Sequence, residues 1–301
     1  MKFPLPALVS AWLGVCASLA ASPDEIIVCQ YNVRNYVDAR PSGEGQRYAA
    51  RAKPQTEIDA LVRIISEINP DILGVCEMGT PARFEDFKHR LQAAQLGYSD
   101  FEYVQAADDE RHLALLSRFP IVSRESAKDV GFELGGRVEK VRRGFLDVTV
   151  QVTPEYRLRL VGAHLKSKLP VPGGEALIRR HEAQQLRRHL DAVFEADPQV
   201  NLVCYGDFND TKDQPMFQEI TGPRGTPGYM ADLWAKDSVG DRWTHYWRVA
   251  DLYSRIDYIF VSPALIREVI KEKSRVYRGP AWEVASDHRA VYASIVPVDR
   301  K

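Results

Sequence analysis

Short apolar runs recur along this chain, and nearly every one carries a polar residue with chemistry at its edge. "EIIVCQYN" (25–32) ends on Asn32 and "DILGVCE" (71–77) on Glu77. "RLVGAH" (159–164) ends on His164, and "LVCYGDFN" (202–209) ends with Asp207 and Asn209. "RIDYIFVS" (255–262) holds Asp257, while Asp287 and His288 stand just before "RAVYASIV" (289–296). Runs this short, rich in Val, Ile, Tyr and Phe, read as strands rather than helices. A core built from such runs needs something to cover its outer faces, and the intervening segments supply it. "QTEIDALVRIISEINP" (55–70) places Ile58, Leu61, Val62, Ile65 and Ile68 at helical spacing, with Thr56 as its expected cap and Asn69-Pro70 as its stop. "FEDFKHRLQAA" (84–94) and "EALIRRHEAQQLRRHLDAVFEA" (175–196) read as further helices, the latter with Leu186, Leu190, Val193 and Phe194 inward.

Strands alternating with helices indicate an α/β class. The middle of the chain holds "FEYVQA", "HLALLSRFPIVS", "GFLDVTVQV" and "YRLRLVGAHL" in quick succession. Strands so closely spaced argue for antiparallel pairs and against a purely parallel sheet. The chain of 301 residues has a hydrophobic fraction of 45%, enough for a sizeable core.

The first two dozen residues stand apart. Lys2, the apolar "FPLPALVSAWLGVCASLA" and then "ASPDE" match a secretory leader, with Ser18 and Ala20 at the cleavage positions. The expected organisation is a signal peptide over 1–20 and a single domain over 21–301. The same signal implies a secreted or periplasmic protein with no integral membrane segment after cleavage. "LGVC" also suggests a lipoprotein cysteine at Cys16, but Val15 fits that signal poorly. The mature chain carries a small negative net charge, so no global basic field attracts nucleic acid. Cys29, Cys76 and Cys204 lie within apolar runs and read as buried free thiols.

Taken singly, an Asn or Asp after a strand is a turn residue and a lone His a satisfied polar group. Together, the carboxylates, amides and imidazoles make a hard, oxygen-rich set suited to Mg²⁺ or Mn²⁺ rather than zinc, with Ca²⁺ a further candidate. Such a set suits hydrolysis of a phosphate ester, which needs charge stabilisation, an activated water and help for the leaving oxygen. No nucleophile elbow, Walker loop or dinucleotide fingerprint competes, and no nucleotide cofactor is expected.

The ordered motifs "QYN", "EMG", "HLKSK", "GDFND", "RIDYIFVS" and "SDHRAV" resemble those of the endonuclease/exonuclease/phosphatase superfamily, which includes deoxyribonuclease I, exonuclease III, inositol polyphosphate 5-phosphatases and bacterial sphingomyelinases. The resemblance spans roughly 25–297. It implies a four-layer α/β/β/α sandwich, two mixed sheets face to face with helices outside, and a site where strand ends of both sheets converge. By that resemblance Glu77 is the main metal carboxylate, with Asn32 and Asp287 near the same cation. Asp207 positions or deprotonates the attacking water or assists the leaving group, and Asn209 binds the phosphate. His288 contacts the phosphate, oriented by Asp257, and His164 is a second imidazole acting as acid or base. "DERHLALLSR" points to Glu110 as the carboxylate partner of His164, and "RRGFLDVTV" to Arg143 as a phosphate-binding residue.

The implied function is a metal-dependent phosphodiesterase acting as a monomer on nucleic acid, by in-line attack of water. The alternative is a phosphatase or phospholipase C-type hydrolase acting on inositol phosphates or sphingomyelin. A non-catalytic binding protein on the same fold is a reading of another class. Arg179, Arg180, Arg187 and Arg188 read as a solvated helix face. Lys166 and Lys168 are either substrate contacts or turn residues, and Trp243, Tyr246 and Trp247 read as loop packing. Asp210 reads as a cap or turn residue, and no segment reads as an exposed aromatic hairpin.

Overall fold

The computed structural model of the protein describes residues 23–39 and 51–300. The leader expected at 1–20, Cys16 within it, and residues 40–50 of the first loop lie outside the described residues. The chain begins with β1 (Ile26–Tyr36), α1 (Gln55–Ile68), β2 (Ile72–Met78), α2 (Pro81–Ala93), β3 (Asp100–Val104), β4 (His112–Ser117) and β5 (Ile121–Arg124). A small hairpin, β6 (Gly131–Leu134) and β7 (Arg137–Lys140), precedes β8 (Phe145–Gln151), β9 (Arg157–His164), α3 (Glu175–Ala196), β10 (Leu202–Asp207) and α4 (Pro215–Thr221). The remainder holds β11 (Ala231–Asp232), a second hairpin of β12 (His245–Trp247) and β13 (Leu252–Ser254), then β14 (Asp257–Val261), β15 (Arg275–Val276), α5 (Trp282–Ala285) and β16 (Val291–Ile295).

Two six-stranded mixed sheets result, ordered β15-β16-β1-β2-β4-β3 and β11-β14-β10-β9-β8-β5. The side-chain alternation of each strand assigns its two faces to different cores. Val28, Ile72, Val203, Leu160 and Ile259 point between the sheets and share one hydrophobic cluster. Their neighbours Cys29, Leu73 and Val75 face α1 and α2, where Ile58, Leu61, Ile65, Phe87 and Leu91 meet them. On the other outer face Cys204, Phe208 and Phe260 pack against Leu186, Leu190 and Val193 of α3. The architecture is therefore the α/β/β/α sandwich expected, and all three cysteines are buried and free.

Tyr205 shows how closely the sheets are fitted. A Cβ added at Gly74 of the facing sheet would lie 2.1 Å from its ring, and one at Gly162 of the adjacent strand 2.8 Å from its hydroxyl. The absent side chains are what let this ring lie between the layers.

Two local expectations change. The first strand continues past Asn32 to Tyr36, with a register irregularity against β2 between the two. Helix α1 is capped by Pro54 rather than Thr56, and the Pro54 carbonyl accepts the amides of Glu57 and Ile58, both at 3.0 Å. Proline fits there because its missing N–H is not needed at a helix start.

Candidate active site

The site is the polar end of the core between the sheets. On β10 the inward row reads Val203, Tyr205, Asp207. On β9 it reads Leu158, Leu160, Gly162, His164, and on β14 it reads Val261, Ile259, Asp257. Asp207 pairs in register with His164 on one side and with Asp257 on the other. Residues in one register row project to one face, so these three side chains are brought together by sheet geometry alone. From the opposite sheet, β1 contributes Gln30 and Asn32, the next two members of the row begun by Val28.

Glu77 arrives differently. Strict alternation after Cys76, which faces the inter-sheet core, would send Glu77 toward the helices. A register shift between Cys76 and Met78 intervenes, and Glu77 adopts φ 63°. Met78 consequently joins the core under the helices, and Glu77 turns into the site. A left-handed conformation is costly for a residue with a Cβ and concentrates at functional positions.

Asp207 Oδ2 is the focus. Asn32 Nδ2 donates to it at 2.9 Å and also to Glu77 Oε1 at 3.2 Å. His164 Nε2 stands 3.6 Å from the same oxygen and His288 Nε2 3.7 Å, both beyond direct hydrogen bonding. The other Asp207 oxygen accepts the Asn209 amide at 2.9 Å. Asp257 uses both oxygens elsewhere, one accepting from Gln30 Nε2 at 3.0 Å and one on His288 Nδ1 at 2.8 Å. The imidazole is thereby oriented with Nε2 toward Asp207 and toward Asp287 Oδ1, 4.0 Å away. Thr244 Oγ1 accepts the amides of Ile256 and Asp257 and fixes this strand start, and Ser286 ties the His288 segment to the Asn32 carbonyl.

Burial sets the electrostatics. Desolvation, then the nearby Asp257 charge, push the Asp207 carboxyl up to about 7. Desolvation alone would depress His288, but Asp257 and Asp207 outweigh it and raise the imidazole to about 10. His164 goes the other way: burial, reinforced by the Arg143 guanidinium, holds it well below the ordinary range for histidine. The site thus pairs a cationic imidazole with a neutral one around a single carboxylate.

Several expected placements differ. The hydrogen bond expected between Glu110 and His164 does not form: His164 Nδ1 is buried without a partner, and the Glu110 carboxylate contacts Arg111 Nη1 at 3.1 Å. Arg143 lies at the turn before β8 as expected, but its Nε is 3.0 Å from the buried carboxylate of Asp108, a residue that sequence reasoning missed. Its Nη1 is buried without a partner. Asn209 does not continue an extended strand. It turns at φ 55° and its side-chain amide donates to the Leu165 carbonyl at 3.0 Å. Asp287 is half-exposed and lies 3.5 Å from Arg34 Nε.

Asp210 is no simple turn residue, and Arg179 is not on a solvated face. The two form a buried ion pair at 2.9 Å, and Arg179 Nη1 also donates to the Lys166 carbonyl. Lys166 Nζ is engaged by the Ser167 and Leu169 carbonyls, while Lys168 lies near Asp210. Arg180 pairs with Glu219 on the helix exterior, whereas Arg187, also expected on the solvated face, is largely covered: it pairs with Asp191 and donates to the Ile220 and Gly228 carbonyls. Arg255, two residues before Asp257, pairs with Asp232. Trp243 packs edge-on to Tyr253 and Trp282, and Tyr246 stacks on Tyr253. The β12–β13 hairpin nevertheless leaves Trp247, Val249, Leu252 and Tyr253 exposed, so the expectation that no aromatic hairpin is exposed was wrong. Its first residue, His245, bridges to His288 and stacks obliquely on its ring at 4.6 Å, placing the hairpin beside the site.

Among the described residues, Asp207, Asp257 and His288 offer ligand atoms within 4.8 Å of one another, a grouping able to hold a metal ion. One fact argues against that use: both oxygens of Asp257 are already engaged, one by Gln30 and one by His288. The set expected from the family resemblance is oxygen-based: Glu77 and Asn32 touch at 3.2 Å, and with Asp287 their chemistry would suit a hard divalent cation.

The sequence profile of the Endonuclease/Exonuclease/phosphatase family matches residues 29–288, which takes in the whole of this constellation. The chain belongs to that family. The three activities in the family's name all hydrolyse phosphate esters, and its members are metal-dependent phosphoester hydrolases. Among solved structures, the human Nocturnin catalytic domain with bound sulfate is 18% identical, with a TM-score of 0.63, covering 90% of this chain and 94% of that one. Truncated TDP2 from Caenorhabditis elegans is 16% identical, TM-score 0.59, covering 90% of this chain and 98% of that one. A family protein from Beutenbergia cavernae is 22% identical, TM-score 0.60, covering 91% and 72% respectively. These similarities show the shared fold. No curated protein sequence matches the chain.

Proposed function

We propose that this family member is a secreted or periplasmic phosphodiesterase that hydrolyses nucleic acid with a divalent cation, Mg²⁺ or Mn²⁺. The observation that carries the reading is the convergence of Asn32, His164 and His288 on one oxygen of Asp207, with His288 locked by Asp257. The cation would be held by Glu77, Asn32 and Asp287, and when bound it supplies positive charge against the phosphoryl oxygens. Asp207, buried and with its carboxyl raised to about 7, is roughly half ionised at pH 7, and in its ionised form it is placed to accept a proton from a water in the gap between it and the imidazoles. His288 Nε2 presents a positive N–H to the phosphate. His164, neutral and buried, receives or returns a proton at Nε2 beside the leaving oxygen.

Purified protein incubated with plasmid DNA, RNA, sphingomyelin and an inositol phosphate, with Mg²⁺ and then with chelator, tests this. Metal-dependent cleavage of nucleic acid is expected. Absence of cleavage on every substrate, or cleavage unchanged in Asp207→Ala and His288→Ala, overturns it.

One observation favours a second reading. The apolar hairpin tip beside the site suits a lipid surface, with a phospholipid diester as the substrate. On that reading Trp247→Ser with Leu252→Ser lowers the rate on sphingomyelin in bilayers at least tenfold and leaves the rate on a soluble diester intact. Equal loss on both substrates sinks it.

A further inference from the structure

Beside the candidate metal carboxylates lies a cavity of about 340 Å³, lined by Arg34, Arg51, Lys53 and Arg111 together with Glu57 and Glu110. That volume lies within the range of small-ligand sites, about 300–1,000 Å³. The wall nearest the site is the irregular end of β1. Arg34 and Asn35, neither of them glycine, both take left-handed conformations with φ 46° and 51°. Three hydrogen bonds hold them there: Arg34 N to Asn32 Oδ1 at 2.9 Å, Asn35 N to Glu77 Oε2 at 2.8 Å, and Arg111 Nε to Asn35 Oδ1 at 2.8 Å. The same bonds join the cavity wall to the constellation around Asp207.

The charges in the cavity are unevenly committed. Lys53 is buried and fixed, donating to the carbonyls of Arg34 and Ala285 and to Glu57. Glu57 is thus neutralised, and Glu110 is neutralised by Arg111. Arg34, with its side chain 47% exposed, stands 3.5 Å from Asp287, and Arg51 is exposed at the rim. An anion entering here would meet guanidinium groups, whose planar donor forks match phosphate oxygens.

We infer that this cavity is a second anion subsite, holding a phosphate of the substrate next to the one hydrolysed. The inference rests on the phosphoesterase reading and adds that Arg34 and Arg51 favour substrates with more than one phosphate. Two sources share this chemistry: a neighbouring phosphate of a polynucleotide, and a second phosphate on an inositol ring.

The test compares kcat/KM for a thymidine dinucleotide with no terminal phosphate against the same dinucleotide phosphorylated at its 5′ or 3′ end. A parallel arm compares an inositol monophosphate with a bisphosphate. An advantage of at least tenfold is expected for one phosphorylated substrate, identifying the source. That ratio should fall toward one in Arg51→Ala and in Arg34→Gln, with the change appearing in KM. Cleavage of the plain dinucleotide with no advantage for any doubly charged substrate, or an advantage that survives both substitutions, overturns the subsite and leaves the phosphoesterase reading standing. If nothing is cleaved, calorimetry with inorganic pyrophosphate on the metal-free protein decides. Binding weakened at least fivefold in Arg51→Ala supports the subsite, and no binding or unchanged binding overturns it.

Discussion

Asp257 spends both carboxylate oxygens on positioning, one on Gln30 and one on His288. Substitution Asp257→Asn keeps the shape and removes the charge that sustains the His288 cation. Its kcat is expected to fall about 10²–10⁴-fold, the range for a mispositioned acid–base group, with a near-native circular dichroism spectrum. An activity within twofold of wild type would show that His288 does not act as a cation. The same pair predicts a pH dependence of stability. His288 is raised in the folded protein to about 10, against about 6.5 for an unperturbed histidine. Its contribution to stability is therefore complete below about 6.5 and is lost as the pH rises through about 10. In chelator, the Tm of the wild type should fall more steeply from pH 7 to 10 than that of His288→Asn; parallel curves would refute this origin.

Elements, rather than residues, set how close these groups come. Strand β10 runs against β9 so tightly at Gly206, φ 149°, that an added Cβ would lie 1.8 Å from the Ala163 carbonyl oxygen. Gly206→Ala must therefore separate the strands that carry Asp207 and His164, and loss of activity together with a lowered Tm is expected. Helix α3 braces the opposite side of these exits. Its Arg179 binds Asp210 and the Lys166 carbonyl, and its Glu182 accepts the Lys166 amide at 2.6 Å. Arg179→Met removes the buried partner of Asp210 and leaves only the exposed Lys168 near it, and breaking a buried pair costs about 3–5 kcal/mol. Thermal denaturation should show the single variant less stable than the double variant Arg179→Met with Asp210→Asn; the reverse order would mean the pair contributes little.

At the scale of the whole molecule, the proposed ligands come from three separate segments of one sheet: Asn32 from β1, Glu77 from β2 and Asp287 from the chain entering β16. A cation among them would tie these segments together, and a ligand that binds only the folded state raises Tm by mass action. Scanning calorimetry should show Tm rising with Mg²⁺ or Mn²⁺ in the wild type, and rising much less in Glu77→Gln. An equal rise in both would place the cation elsewhere. Among the described residues no helix is long and apolar enough to cross a membrane.

Composition and pattern determined much of this. Apolar runs too short for helices, broken by amphipathic ones, dictated an α/β class, because each strand face must be covered by a matching apolar stripe. Their polar ends marked Asn32, Glu77, His164, Asp207, Asp257 and His288, because residues at strand exits are the ones a core can leave uncovered. What the sequence could not fix was direction and partnership. Period-two alternation would have turned Glu77 toward the helices, and only the bulge against β4 reverses it. Arg179 looked solvated because a basic run is usually a wet face, and only the docking of α3 buried it against Asp210. Glu110 meets Arg111 rather than His164, and Arg143 meets Asp108, since a turn between two strands is settled by where both are anchored. The cavity at Arg34 and Arg51 likewise needs β1, α1 and the turn that enters β4 at Arg111 in place together. Local preference is written in neighbouring residues; a contact between residues far apart in the chain exists only once packing has brought their elements together.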